Sequence, residues 1–268
     1  MAKVFNMVVD GSGVGVVTFD VAGDKMNTWT EEAFAGFDQV MRELETSKGI
    51  RGIIFISGKP ENFLAGANLK LISQIESAEG VRRTLDLFHG SFARLIALGF
   101  PSVAAIHGHC LGGGLEFALA CTARIAKEGK NTLIGLPECN VGLFPGGGGT
   151  QRLPRLIGYG AFELILKGTM LPAAKAYEMG IVDRLIPAEG DPGRADRPGD
   201  DRQPSQFCRS DPEAAHRLPG QRRLRRQCDA LSLPRQCAAI CRGGESDREG
   251  GPGDDPFRHA RGTDPAHR

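Results

Sequence analysis

The most constraining stretch of this 268-residue sequence joins an apolar run, a glycine turn and an apolar helix pattern without interruption. It covers residues 103–121, VAAIHGHCLGGGLEFALAC, with a break at Gly108 and three glycines at 112–114. A strand that feeds a turn and then a helix leaves unpaired backbone N–H groups at the helix N-terminus. Such a terminus attracts a phosphate, a carboxylate or a carbonyl oxygen that gains charge. Glu116 follows within one turn, so we expect its carboxyl group beside whatever binds there.

The rest of residues 1–189 alternates strand and helix patterns, which predicts one ordered domain of the α/β class. The expected strands are residues 51–57, 124–126, 132–135 and 183–186, and the expected helices are residues 30–46, 81–96, 160–168 and 172–179. Residues 3–20 predict a β-hairpin with its turn at 10–13. The glycines of that turn are not a dinucleotide-binding fingerprint, because a strand and not a helix follows them.

Two other segments suit a ligand site. Residues 65–67, Ala-Gly-Ala, are small enough to let the backbone approach a ligand closely. Glu138 lies in the segment GLPECNVGLF, where a second carboxyl group could meet the first. A glutamate early in a helix is often a surface group that the helix dipole favours, so spacing alone leaves the roles of Glu116 and Glu138 open.

A run of four glycines at 146–149 resembles a phosphate-binding loop, but it lacks the Lys-Ser/Thr ending of a P-loop. We interpret it as a tight turn into a helix that carries Gln151 and Arg152 and packs beside the site. An amphipathic pattern over 81–96, which includes Val81 and Leu85, predicts a long helix that Gly99 and Pro101 stop.

Four segments in this order resemble the crotonase (enoyl-CoA hydratase/isomerase) superfamily. They are FLAGANLK, HGHCLGGGLEFALAC, GLPECNVGLFPGGGGTQRLPRLIG and AYEMGIVDRLIP. The likeness is greatest to the hydratase domain at the N-terminus of multifunctional fatty-acid-oxidation alpha subunits, and it covers about residues 3–189. The resemblance implies a crotonase-like core, an α/β spiral of ββα units.

The resemblance also implies a role for each matching position. The backbone N–H groups of Ala67 and Gly113 would form an oxyanion hole for the thioester carbonyl. Glu116 and Glu138 would hold one water, deliver its hydroxyl to C3 and supply a proton to C2 of a trans-2-enoyl-CoA. The remaining expected substrate-binding residues are Ala65, Gly66, Asn68, Lys70, Gly112, Pro137 and Gly146. Asn68 stands where an aspartate is common in the family, and Lys70 would meet the phosphates of coenzyme A.

The implied function is hydration of 2-enoyl-CoA thioesters in fatty acid β-oxidation, with enoyl-CoA isomerase activity as a second capability. No metal and no separate cofactor are expected, because the thioester itself activates the alkene. The expected partners are the acyl-CoA substrate and further copies of the chain, since the family builds trimers. The alternative is an inactive, truncated crotonase-like remnant that only binds acyl-CoA or a partner.

Composition excludes several other classes. The net charge of +1 gives no reason to expect a nucleic acid or an anionic membrane as partner. The apolar runs are too short to span a bilayer, and the N-terminus does not resemble a signal peptide. Seven cysteines at scattered spacings favour reduced thiols in the cytoplasm.

The composition changes abruptly near residue 190. Residues 190–268 contain 15 Arg and no Lys, nine Pro, ten Gly and only seven large apolar residues. So low an apolar content predicts disorder. The step also resembles coding sequence read out of frame, and a frameshift near codon 190 is one hypothesis for it. An Arg-rich arm for nucleic acid is the competing one, but 13 acidic residues leave this tail at only +2.

Overall fold

The computed structural model describes residues 3–187 and 227–241. The strands in these residues form two β-sheets. The strands are β1 (Phe5–Val9), β2 (Val14–Phe19), β3 (Gly52–Ser57), β4 (Asn62–Leu64), β5 (Ser102–Ile106), β6 (His109–Leu111), β7 (Ala123–Lys127), β8 (Leu133–Gly135), β9 (Met170–Pro172) and β10 (Arg184–Ile186). The helices are α1 (Glu31–Thr46), α2 (Leu69–Ile72), α3 (Ala78–Ala97), α4 (Gly113–Ala120), α5 (Gly149–Ile157), α6 (Gly160–Lys167), α7 (Ala173–Glu178) and α8 (Leu233–Cys241). A 3-10 helix covers Pro137–Val141.

The larger sheet has the strand order β1-β2-β3-β5-β7-β10 and the smaller one has the order β4-β6-β8-β9. In the larger sheet only the β1-β2 hairpin is antiparallel, and the other strands pair in parallel. Parallel strands require crossover connections, and α1, α3 and α4 lie within those connections. The α/β class, the hairpin and the four strands expected from the sequence are confirmed.

Helix α1 begins where the sequence predicts it. Thr30 has extended backbone dihedral angles, and its side chain accepts a hydrogen bond from the N–H of Ala33. The residue before this cap, Trp29, stacks on Phe34 with ring centroids 4.8 Å apart, a contact that fixes the angle at which the chain enters the helix. The apolar face of α1 is buried through Leu44.

The chain passes from one sheet to the other between β5 and β6. Strand β5 belongs to the larger sheet and β6 to the smaller one, with Gly108 between them in a left-handed conformation at φ +70°. Strand β6 then leads through Gly112 into α4. The N-terminus of α4 therefore lies at the end of a strand of the smaller sheet, beside the loop that follows β4.

A buried ion pair fixes the other end of α4. Arg124 is only 3% exposed, and its guanidinium donates to the carbonyl groups of Ala118 and Cys121 at the end of the helix. The same group donates to the carbonyl of Ile181 and to the carboxylate of Asp183, 2.6 Å away. These bonds satisfy carbonyls that a helix C-terminus leaves unpaired, and they attach α4 to the segment before β10.

The expectation of disorder over 190–268 does not hold for residues 227–241, because α8 lies within them. Its side chains Leu233, Cys237 and Ala238, with Cys228 before it, are buried against the larger sheet. They cover the outer face of that sheet, which consists of Val14, Val16, Ile54, Ile56, Val103, Ala105, Ala123, Ile125 and Ile186. The ordered unit therefore extends beyond the predicted boundary at 189. The remainder of the predicted tail, 188–226 and 242–268, lies outside the described residues.

Replacing Leu233 with alanine should destabilise the protein by about 2–4 kcal/mol, because this fully buried side chain packs over Gly52, a position of the sheet that has no side chain. A Cβ atom built at Gly52 would lie only 2.9 Å from Leu233 Cδ1. The measurement is thermal unfolding of the full chain. Arg235→Ala on the exposed side of α8 is the matched control. Equal melting temperatures for the two variants would contradict the packing of α8 on the sheet.

No helix within residues 3–187 and 227–241 combines the length and the apolarity needed to cross a membrane. In the same residues, no group of three His, Cys, Asp or Glu side chains is arranged to hold a metal ion.

Candidate active site

A cavity of about 720 Å³ opens at the N-terminus of α4. The predicted site residues that line it are Ala65, Gly66, Ala67, Gly112, Gly113, Glu116, Pro137, Glu138 and Gly146. Two predicted residues do not line it. Asn68 is half-buried, with its side-chain oxygen accepting from the N–H of Lys70, and Lys70 itself is exposed. The folded chain thus brings together three segments that are far apart in sequence.

Two backbone N–H groups meet at one end of the cavity. Gly66 has a φ of +92°, and a Cβ built on it would lie 3.2 Å from the nitrogen of Gly113. Only glycine tolerates both this conformation and this approach. The N–H groups of Ala67 and Gly113 donate to no protein acceptor within the described part of the chain. Two such donors side by side suit an oxygen that carries negative charge.

Trp29 holds these two turns together, although no role was predicted for it from the sequence. Its backbone N–H donates to the carbonyl of Gly66 at 2.8 Å, and its carbonyl accepts from the N–H of Asn68 at 3.2 Å. Its indole N–H donates to the carbonyl of Gly113 at 3.3 Å. The sequence signal that points to it is its position immediately before the N-cap of α1, where an apolar side chain packs back on the helix.

Glu116 lies in the first turn of α4 and is only 3% exposed. Its Oε1 accepts a hydrogen bond from the N–H of Gly149 at 2.7 Å. Burial raises the pKa of the Glu116 carboxyl, while the N–H groups of Gly149 and Gly147 and the charge of Arg152 act in the opposite direction. The carboxyl group is therefore oriented by backbone donors inside a poorly hydrated site.

Glu138 faces the same space from the 3-10 helix. A Cβ built at Gly112 would lie 3.2 Å from Glu138 Oε1, so this carboxyl group lies directly over the glycine turn. Its Oε2 is buried with no hydrogen-bond partner among the described residues. Burial, reinforced by the charge of Glu116, raises the pKa of Glu138 to about 7, with its own backbone N–H opposing the shift. A buried oxygen without a partner is costly, which marks Glu138 as a group that meets a ligand or water.

The two carboxyl groups therefore differ in a way that suits proton transfer. Burial raises the pKa of both carboxyl groups, but the groups that oppose the shift differ: the N–H groups of Gly149 and Gly147 and the charge of Arg152 at Glu116, and only its own backbone N–H at Glu138. Pairs of titratable groups whose environments separate their pKa values serve as acid and base. The arrangement can accept a proton at one carboxyl group and release one from the other.

The rest of the cavity is apolar. Its walls come mainly from α2, α3 and the segment after Glu138, with the side chains of Leu69, Ile72, Ile75, Val81, Leu85, Phe88, Val141, Leu143 and Phe144. The predicted helix over 81–96 is present as α3, and on its apolar face Val81 and Leu85 are 47% and 37% exposed. They form the wall of an open cavity, and such a wall has the same helical periodicity as a core face. An apolar chain attached to an oxygen-bearing head group fits this shape.

Comparison with known proteins decides the family. Residues 10–190 match the family model described as Enoyl-CoA hydratase/isomerase. The chain belongs to the enoyl-CoA hydratase/isomerase family. The crotonase resemblance over about residues 3–189 and the crotonase-like fold are thereby confirmed. Members of this family are lyases and isomerases that act on acyl-CoA thioesters, so the candidate site belongs to an enzyme family.

Several solved structures resemble this chain. An enoyl-CoA hydratase from Bacillus anthracis is 32% identical, with a TM-score of 0.64, over 69% of this chain and 70% of that one. DspI from Pseudomonas aeruginosa is 26% identical, with a TM-score of 0.64, over 91% of this chain and 90% of its own. An enoyl-CoA hydratase from Thermoplasma volcanium GSS1 is 26% identical, with a TM-score of 0.64, over 69% and 72%.

Proposed function

We propose that this protein is an enoyl-CoA hydratase that adds water across the double bond of trans-2-enoyl-CoA thioesters. One observation carries the proposal: two carboxyl groups in different environments and two unpaired backbone N–H groups line the same end of an apolar cavity. Hydration of an activated alkene requires this set, because charge develops on the thioester oxygen while one proton leaves water and another reaches carbon.

In the proposed reaction, the thioester oxygen accepts hydrogen bonds from the N–H groups of Ala67 and Gly113. Glu116 takes a proton from a water molecule whose oxygen forms the new bond to C3. The C2–C3 π electrons move toward the carbonyl, and C2 then takes the proton of Glu138. Product release and proton exchange return the two carboxyl groups to their initial states. Removing one oxyanion-hole donor typically costs about 3 kcal/mol of barrier, so the small residues around this hole are central.

Isomerisation of 3-enoyl-CoA is a compatible second activity, since one carboxyl group that moves a proton along the substrate suffices for it. A role in β-oxidation, a cytoplasmic location and assembly into a homo-oligomer stay predictions from the resemblance. A cofactor-free mechanism is part of the proposal, because the thioester supplies the activation.

The direct test is hydration of crotonyl-CoA by the full 268-residue chain, followed as loss of the absorbance of the conjugated double bond. Thermal unfolding with and without an acyl-CoA runs in parallel. We expect turnover and a melting temperature that rises with ligand. A ligand-induced rise without turnover would support the binding-only remnant in place of the hydratase.

The rate should also fall as the pH rises through about 7. Glu138 acts as the acid and must carry its proton, and its pKa is raised to about 7. The measurement is kcat/KM for crotonyl-CoA between pH 5.5 and about 9, a range that brackets this titration. A profile that stays flat across neutral pH would contradict the role of Glu138 as proton donor.

A further inference from the structure

Arg152 lies behind the site and does not line the cavity. It is on α5, half-buried, with its guanidinium carbon 5.8 Å from the centroid of the Phe92 ring. Its Nη1 donates to the carbonyl of Gly147 at 2.6 Å. Arg155, three residues later on the same helix, is exposed and bonds only to Gln151 among the described residues. The two arginines therefore differ sharply in environment.

The loop that Arg152 contacts is the one that holds Glu116. The N–H of Gly149 donates to Glu116 Oε1 at 2.7 Å, and a Cβ built at Gly147 would lie 2.7 Å from Glu116 Oε2. Gly148, between them, has a φ of +103°, and a Cβ on it would lie 2.4 Å from Arg152 Nη1. The guanidinium thus fills the space beneath the loop 147–149. It fixes the position of the loop's N–H groups relative to the Glu116 carboxylate.

The positive charge of Arg152 also acts on Glu116, because it lowers the pKa of that carboxyl group. The charged or titratable groups that face Glu116 are Arg152 from α5, the exposed His89 from α3 and Glu138 from the 3-10 helix. Arg124 lies at the opposite end of α4. Of the facing groups, Arg152 is the permanent cation, because a guanidinium keeps its proton throughout the working pH range.

We propose that Arg152 is a positioning residue for the reaction, which holds the loop 147–149 against Glu116 so that this carboxyl group stays aimed at the water. This inference rests on the proposed hydratase function. Arg152 touches neither the substrate cavity nor the reacting atoms, so its effect reaches the reaction through Glu116 alone. It should therefore change kcat and leave the affinity for the thioester nearly intact.

The test compares Arg152→Gln, which can still donate to the Gly147 carbonyl but has no charge, with Arg152→Lys, which keeps the charge. Arg155→Gln is the matched control. We expect Arg152→Gln to lower kcat by about 10- to 100-fold with KM changed less than about threefold. The acid limb of its rate profile should move up by about one pH unit. Arg152→Lys, which keeps the charge but loses the guanidinium fork, should lower kcat by about tenfold and leave the acid limb in place, and Arg155→Gln should match the wild type.

A second readout does not depend on activity. Carboxyl ¹³C NMR of glutamate-labelled protein, with the signal of Glu116 assigned by its loss in Glu116→Gln, should report a higher pKa for Glu116 in Arg152→Gln than in the wild type. If the wild type fails to hydrate crotonyl-CoA, the function proposal falls, and this titration still decides the role of Arg152. An unchanged Glu116 pKa would overturn it, even if kcat and melting temperature both fell.

If Arg152→Gln does not fold, Arg152→Lys alone tests the positioning role of Arg152. Its ammonium group cannot both stack on Phe92 and reach the Gly147 carbonyl in the same way. The expected result is then a kcat reduced by about tenfold, with the Glu116 pKa near that of the wild type. Wild-type kinetics in Arg152→Lys would show that the loop does not need the guanidinium, and the positioning role would be wrong.

Discussion

Replacing Glu138 with glutamine should lower the rate of crotonyl-CoA hydration by about a thousandfold. The amide keeps the shape of the carboxyl group but has no proton that it can give to C2. Because Glu138 Oε2 has no hydrogen-bond partner within the described residues, the substitution breaks no bond that the fold uses there. The loss should therefore appear in kcat, with the binding of acyl-CoA retained and the melting temperature no lower than that of the wild type.

Glu163→Gln on the exposed surface of α6 is the control, since Glu163 pairs only with Lys167 among the described residues. Glu116→Gln should cost a similar factor, and the double variant should lose little more than either single one, because the two carboxyl groups act as a unit. Hydration by Glu138→Gln within about tenfold of the wild-type rate would sink the assignment of Glu138 as the acid.

The same variant has a consequence for stability. The pKa of Glu138 is raised from an ordinary 4.5 to about 7 in the folded protein. The stabilisation from its neutral form is therefore fully present below about pH 4.5 and is lost as the pH rises through about 7. Glutamine stays neutral throughout, so Glu138→Gln should unfold at a higher temperature than the wild type at pH 8, with the difference absent at pH 4.5.

Replacing Gly114 with alanine should have a large effect on the fold itself. A Cβ at this position would lie 2.0 Å from the carbonyl oxygen of Leu64, a backbone atom that no rotamer change can move. Helix α4 and the end of β4 must then separate, which should cost about 3 kcal/mol or more. For a chain of this size, such a loss lowers the melting temperature by about 6–12 °C.

The rate of hydration should fall together with the stability of this variant. Strand β4 ends at Leu64 and leads directly to Ala67, so a displaced strand end moves one N–H group of the pair away from the other at Gly113. The folded fraction of Gly114→Ala should hydrate crotonyl-CoA about 100-fold more slowly. Gly90→Ala is the control, because a Cβ at this position in α3 meets nothing within 4 Å. It should stabilise the protein by about 0.5–1 kcal/mol. A melting temperature for Gly114→Ala equal to that of the wild type would contradict the close packing.

The sequence was sufficient for the parts of the site that depend on local pattern. The strand-turn-helix at 103–121 and the cap of α1 follow from residue periodicity and turn chemistry, and both are present in the structure. The meeting of Glu116 with Glu138 came from the family resemblance. Periodicity cannot supply it, because it depends on the parallel pairing of β6 with β8, the strands that precede α4 and the 3-10 helix.

Three features escaped sequence reasoning for distinct physical reasons. Trp29 contributes mainly through its backbone and its indole N–H, and no motif signals that a tryptophan ties two distant turns together. Val81 and Leu85 have the spacing of core residues, and periodicity does not distinguish a core from a cavity wall. The third is α8, whose buried side chains are Leu233, Cys237 and Ala238. Averaging composition over residues 190–268 hid this short apolar face.

The covering of the sheet by α8 determines where the chain can be shortened. Without residues 227–241, the outer face of the larger sheet would present valine and isoleucine side chains from five neighbouring strands to water. Large apolar patches of this kind drive association between copies. A chain cut after residue 187 would keep every group of the candidate site and still lose its colloidal stability.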